Sequence, residues 1–277
     1  MPIKLHSCTP TSLNTWLDCP RRYRFNYLDR PRPPKGGAWA HNSLGSSVHN
    51  ALRDWWDLPR QERVPEAAAR LLSAKWITEG WRDDAQQALW RGRATEWIAG
   101  YLASLDPDEQ PLGIERGVAL RTPTLALSGR IDRLDERSAG LVVVDYKTGR
   151  RIPDVDEVRA SLALAVYASA AAATMRRPCA QVELHHLPSG TISVWQHTPE
   201  SLKRHLDRAA AIAEEIVAAR AALEGGGEPD QLFPARPGGL CGWCDFRISC
   251  PEGKAASGEV TPWAAIEDSI GMETRPC

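Results

Sequence analysis

Leu141-Val142-Val143-Val144-Asp145-Tyr146-Lys147 decides how this chain is read. Three β-branched residues in a row predict a buried strand, and the strand runs out into an acid and a lysine. The period of two puts Asp145 and Lys147 on the same face of it. Upstream, LALSGRIDRLD (125–135) reads as a second strand with Asp132 near its end. A short reversal through residues 136–140 would join the two as a hairpin and set Asp132 beside Asp145. Two carboxylates that close repel one another unless a cation lies between them. A hard ion such as Mg²⁺ or Mn²⁺ suits the oxygen ligands. Such an ion activates water and offsets charge on a phosphoryl group, and Lys147 would orient the nucleophile or hold a phosphate oxygen. Arg150 and Arg151, just beyond Thr148-Gly149, would extend the positive field along a polynucleotide backbone.

Working outward, GIERGVALR (113–121) precedes the hairpin as a further strand, and AQVELHHL and TISVWQH flank the turn Pro188-Ser189-Gly190. An Ala-rich helix spans about 157–174. Thr198-Pro199 opens another, with Leu202, Leu206, Ile212 and Ile216 on its apolar side and Gly225–Gly227 at its end. Toward the N-terminus, Thr9-Pro10 caps a helix through SLNTWLDCPRRYRFNYL, bent or restarted at Pro20. PRPPKGG (31–37) is a linker. SLGSSVHNALRDWWDL is helical, with Val48, Leu52 and Trp55 recurring on one stripe, and two more helices are expected over 65–80 and 83–105. The expected fold is α/β, a mixed sheet flanked by helices in a single domain over 1–253. Its helical part covers about 38–110, its sheet core about 111–222 and a cysteine arm 233–253. Residues 254–277 read as a disordered tail.

Composition is that of an ordinary globular chain of 277 residues, 43% hydrophobic and 25% charged. No apolar run approaches the ~18 residues of a membrane span. The N-terminus has no apolar signal region, so a cytoplasmic location is the expectation. With a net charge of −1, any nucleic acid must be bound by a local patch. Arginine outnumbers lysine heavily, which gives weight to a lysine inside a chemical motif.

The helix over 43–58 adds Gly45-x-x-x-His49, and His49 offers a nitrogen donor to the two carboxylates. Together, Gly45-x-x-x-His49, Gly129-Arg130-Ile131-Asp132-Arg133, Asp145-Tyr146-Lys147 and the later Tyr167 resemble the PD-(D/E)xK nuclease superfamily. The branch they most resemble is RecB-like and holds the AddB-type nucleases and the CRISPR-adaptation nucleases. The resemblance implies a restriction-endonuclease-like core, with His49, Asp132 and Asp145 as metal ligands and Lys147 as the catalytic lysine. It also implies the peptide carbonyl of Tyr146 as a further ligand. One position departs from the family: Ala163 stands where a glutamine usually precedes the tyrosine by four residues, removing a phosphate or metal-water contact. Glu115 sits where relatives often carry an acid, and no role is assigned to it.

Seven cysteines are present, at 8, 19, 179, 241, 244, 250 and 277. Cys241-x2-Cys244-x5-Cys250-Pro251 has metal-ligand spacing and asks for a fourth thiolate, for which Cys19 is the leading candidate. A structural zinc would accept the same set. By resemblance to the AddB-type and CRISPR-adaptation nucleases, Cys19, Cys241, Cys244 and Cys250 would carry a 4Fe-4S cluster that staples the first helix to the C-terminal arm. Closing so long a loop costs about 5 kcal/mol of chain entropy, so the staple reads as structural. Cys8, Cys179 and Cys277 read as ordinary thiols.

Residues 21–35 are basic and aromatic in alternation, and Arg21, Arg22 and Arg24 are candidate phosphate contacts with Arg150 and Tyr167, while Tyr23 and Phe25 are expected to be mostly core. The function these features imply is a Mg²⁺- or Mn²⁺-dependent DNA exonuclease on single-stranded or end-containing DNA, in repair, recombination or CRISPR adaptation. The alternatives are a nuclease-fold DNA-binding module with little catalysis, and a zinc-stapled subunit of a helicase–nuclease. No P-loop is present, so a helicase motor would be a separate partner.

Overall fold

In the computed structural model of the chain, residues 5–267 are described. The strands are β1 (His6–Cys8), β2 (Gly113–Arg121), β3 (Leu125–Arg137), β4 (Gly140–Lys147), β5 (Cys179–His186) and β6 (Thr191–Gln196). The helices of the N-terminal half are α1 (Pro10–Asp18), α2 (Pro20–Tyr27), α3 (Ala40–Trp56), α4 (Ala67–Ala74) and α5 (Asp84–Ala103). Those of the C-terminal half are α6 (Val155–Ala160), α7 (Leu162–Met175), α8 (Pro199–Glu224), α9 (Pro229–Leu232), α10 (Pro251–Ala256) and α11 (Ala264–Glu267).

The expected hairpin is present. β3 and β4 pair antiparallel, from Arg133 opposite Val144 to Arg137 opposite Gly140. β3 is longer than the pattern suggested, so Asp132 lies within it rather than at its end. One edge of β3 takes β2; the other is shared by β1 at its start and β4 at its finish. Between those two, among the described residues, no strand pairs with residues 128–132 of β3 on that edge. The sheet is mixed, because β4 runs parallel to β5 through an α6–α7 crossover and β6 returns antiparallel.

Alternation along β4 sends its residues to two cores. Val142, Val144 and Tyr146 bury against α3, α4 and α5, while Leu141 and Val143 bury against α7. α7 approaches closely because its buried surface is mostly alanine: Ala165, Ala168, Ala170 and Ala171 are fully buried. A third cluster packs α1 and α8 around Trp16, Ile212, Ile216 and Phe233.

Several boundaries differ from the sequence reading, each for a local reason. The helix expected over 157–174 is two helices, because Ser161 takes an extended backbone and caps α7 through Leu164 N–H (3.3 Å). The helix expected over 65–80 stops at Ala74, and Ile77 then gives its N–H to Ser47 Oγ (3.0 Å) instead of to a helical carbonyl. β1 is only three residues long and carried no alternation to read. Residues 254–267, read as tail, are folded. Trp263 and Ile266 pack on the helical core, and Ala40 N–H donates to Pro262 O at 3.0 Å. The rest of that tail reading, with Cys277, lies outside the described residues. Among the described residues no helix is long and apolar enough to cross a membrane.

Candidate metal centre and nucleic-acid cleft

The site forms where the β3–β4 ladder ends. Beyond Val144 the Tyr146 N–H finds no backbone partner on β3 and donates instead to Asp132 Oδ2 at 2.9 Å. The same oxygen lies 3.4 Å from His49 Nδ1. Strand alternation slips at this point: Ile131 and Leu134 both bury on the α7 side although three positions apart, while Arg133 between them turns to Tyr101 on the opposite side. On β2 the pairs Ile114↔Arg133 and Arg116↔Ile131 set Glu115 opposite Asp132, and Glu115 has a left-handed backbone (φ 47°). That is an uncommon conformation for a residue with a Cβ, and such strain concentrates at functional sites.

The result is a donor set. One atom each from His49, Glu115 and Asp132 lies within 4.8 Å of the others. An imidazole nitrogen and two carboxylate oxygens at that spacing fit a divalent ion. Asp145 completes the acidic ground, directly beyond Val144, where the β3–β4 pairing ends, and ion-paired with Lys147. Burial raises the Asp145 carboxyl above its ordinary value, the Lys147 ammonium opposes this, and the Asp132 charge adds to it. His49 also departs from its usual value. Burial alone would lower it, but the hydrogen bond to Asp132 and the charges of Asp132 and Asp145 prevail and raise it.

Two glycines let the elements close on this point. A Cβ on Gly45 would lie 3.2 Å from Thr148 Oγ1, so α3 can rest against the loop after Lys147. A Cβ on Gly129 would come within 2.3 Å of Tyr167 Cε1, so the Tyr167 ring occupies the space over β3. The Tyr167 hydroxyl is pushed up to about 12, first by burial and then by the charges of Asp145 and Asp132. Ala163 lies one helical turn before it on α7 and is half-buried. Tyr146 packs its ring edge-on to His49 at 5.8 Å and to Tyr101 at 5.5 Å.

A cleft of about 1170 Å³ opens from these residues. His41, Gly45 and His49 of α3 form one wall, Trp90, Arg93 and Trp97 of α5 another, and Glu115 and the loop Lys147–Arg150 the floor between them. Of the expected residues, His49, Tyr146, Lys147 and Arg150 line it. The sequence reading gave Glu115 no role and missed the α5 wall, although Trp90, Arg93 and Trp97 stand at helical spacing.

Arg21 and Arg24 lie elsewhere, which corrects their reading as phosphate contacts. They are 6% and 8% exposed, Arg21 bonded to Glu252 (2.9 Å) and Asp230 (3.3 Å), and Arg24 to Asp230 (3.0 Å). These guanidiniums tie the N-terminal helices to the C-terminal segments. Arg22 remains more exposed and pairs loosely with Asp18 at 3.6 Å. Tyr23 and Phe25 are core, as expected.

Cys19, Cys241, Cys244 and Cys250 line a second cavity of about 290 Å³, together with Arg21, Arg22, Arg236 and Arg247. Cys19 Sγ accepts from Arg236 N–H at 3.5 Å and Cys250 Sγ from Gly253 N–H at 3.3 Å. The four thiols share a cavity without converging: among the described residues no three of their sulfurs come as close as the His49, Glu115 and Asp132 donors do. Burial raises the thiols of Cys244 and Cys250 above their ordinary value. Cys8 and Cys179 are buried core thiols, pushed by burial to about 11 and about 12.

Comparison with known proteins adds to this geometry. A solved structure titled "Crystal structure of SSO0001" is similar at a TM-score of 0.41 and 12% identity, over 93% of this chain and 90% of that one. No curated protein matches the chain. The family model of the PD-(D/E)XK nuclease superfamily matches residues 7–251, a span that takes in every strand but the first residue of β1, the donor set and the lysine after it. A match over that much of the sequence settles the family, and the chain belongs to the PD-(D/E)XK nuclease superfamily.

Proposed function

We propose that the protein is a Mg²⁺- or Mn²⁺-dependent DNA exonuclease acting on single-stranded or end-containing DNA. Its setting is repair, recombination or CRISPR adaptation, with any helicase or adaptation partner supplied separately, and its location cytoplasmic. The observation that carries the reading is the convergence of His49, Glu115 and Asp132 beside the Asp145–Lys147 pair, at the base of a cleft large enough for a polynucleotide.

When bound, a divalent ion supplies Lewis acidity and lowers the pKa of water at the phosphodiester. The chain's own groups do the rest. His49, Glu115 and Asp132 present the donors, with Asp145 and the Tyr146 carbonyl as further ligands. The Tyr146 N–H fixes one Asp132 oxygen, leaving the other to a ligand. Lys147, half-exposed and held by Asp145, keeps its ammonium at the cleft floor to hold a phosphate oxygen or orient the attacking water. Arg150 and the Tyr167 hydroxyl add donors for the backbone.

End-labelled single- and double-stranded DNA, incubated with Mg²⁺ or Mn²⁺, tests this. Wild type is expected to shorten the label from an end, and Lys147→Ala to slow it by about 10²–10³-fold. DNA binding without cleavage by wild type would instead support the binding-module reading, which Ala163 favours by removing an amide from the site.

The cysteine cavity is proposed to hold a 4Fe-4S cluster on Cys19, Cys241, Cys244 and Cys250. Arg22, Arg236 and Arg247 around it suit a cluster whose thiolate-bound form is anionic. Protein purified without air is expected to be brown, with about four iron and four sulfide per chain. A colourless protein with one equivalent of zinc would overturn the cluster in favour of zinc.

A further inference from the structure

The α5 wall of the cleft is built differently from the metal end. Trp90, Arg93 and Trp97 lie on one face of the helix, and all three line the same cleft as His49, Glu115 and Lys147. Trp90 is 4% exposed, meets Trp97 edge-on at 5.9 Å and carries the Arg93 guanidinium 5.1 Å from its ring centre. Trp97 is only half-buried. The Trp90 indole N–H is buried and has no acceptor among the described residues, and neither has His41 Nδ1, which lines the cleft from α3, a partner there. Both atoms are buried behind the cleft surface, so what the wall presents is the half-buried Trp97 indole with the Arg93 guanidinium beside it, which suits a ligand that contains a flat ring.

We propose that this wall is a nucleobase subsite for an unpaired nucleotide close to the scissile phosphate. The base stacks on Trp97, with the Arg93 guanidinium beside it on the same helix face. Aromatic faces bind bases whatever their identity, so the subsite selects strandedness and not sequence. A base inside a duplex already has both faces covered by its neighbours. The inference rests on the nuclease reading of the cleft and adds a specificity determinant to it.

The test is binding without cleavage, in EDTA, of two fluorescent oligomers of equal length and charge: oligothymidylate and an abasic deoxyribose-phosphate chain. Wild type is expected to prefer the thymidylate by about 10-fold or more. Trp97→Ala should bring the two affinities together while leaving that for the abasic chain unchanged, and Trp97→Phe should restore most of the preference. An unchanged ratio in Trp97→Ala overturns the subsite, as does an equal loss for both oligomers, which would mark Trp97 as packing only. If Trp97→Ala still cuts DNA with its ratio unchanged, the nuclease reading stands and only the subsite falls. Wild type that neither binds nor cuts DNA overturns the nuclease reading and the subsite with it.

Discussion

Asp132→Asn is expected to reduce metal-dependent cleavage by about 10²–10³-fold and to weaken Mn²⁺ binding, measured by calorimetry, by at least about tenfold, with the fold intact. The size of the effect follows from how many tasks converge on one side chain. Asp132 Oδ2 takes the Tyr146 N–H at 2.9 Å and stands 3.4 Å from His49 Nδ1, and Asp132 also supplies a donor to the group it forms with His49 and Glu115. Asparagine keeps the volume and one acceptor oxygen, so the strand end should hold its shape. It removes the charge, and with it the electrostatic reason for a cation to sit among these residues. Glu115→Gln makes the same exchange at a position outside the Tyr146 hydrogen bond and should give the smaller loss of the two. Equal Mn²⁺ affinity in wild type and Asp132→Asn would remove Asp132 from the ligand set.

The comparison between these two acids shows what the sequence could disclose. Asp132 and Asp145 could be placed near one another because both flank a hairpin whose turn is short, although the slip in β3 beside Asp132 does not show in the pattern. Lys147 followed by the period of two, and His49 by the Gly45-x-x-x-His49 motif and the resemblance it supports. Glu115 depends on a cross-strand register and a left-handed backbone, and neither leaves a trace in residues 113–121 taken alone. Arg21 and Arg24 failed for the opposite reason. Their charge was visible, but their partners Asp230 and Glu252 lie some two hundred residues away, and only the fold reveals that the charges are consumed. Trp263 and Ile266 looked like scattered apolar residues in a polar tail, because the surface that receives them belongs to another segment. Chemistry carried by a motif could be read; an irregular strand register and ion pairs to residues some two hundred positions away could not.

Behind the site lies a buried polar network, and Arg133 is its centre. Arg133 is 2% exposed, bonds both oxygens of Asp135 at 2.6 Å, donates to the Tyr101 hydroxyl at 3.3 Å and lies 5.2 Å from the Trp56 ring centre. Burial works against its charge, but the Asp135 carboxylate outweighs that and holds Arg133 firmly protonated. Arg133→Met should therefore cost about 3–5 kcal/mol in urea unfolding, because it strands the Asp135 charge in the interior with only Arg137 at 3.3 Å to answer it. The double variant Arg133→Met/Asp135→Leu should recover most of that loss. It leaves no unpaired charge, and Arg137 keeps its two bonds to Glu183 at 2.6 and 3.0 Å. Cleavage separates stability from function in the same pair. Arg133 follows Asp132 directly at the slip in β3, and its partner Tyr101 packs on Tyr146, whose N–H holds Asp132. If the network also positions the site, the double variant will be stable yet slow, with an altered kcat and an unchanged KM. A double variant as active as wild type would confine Arg133 and Asp135 to holding the helical block on the sheet.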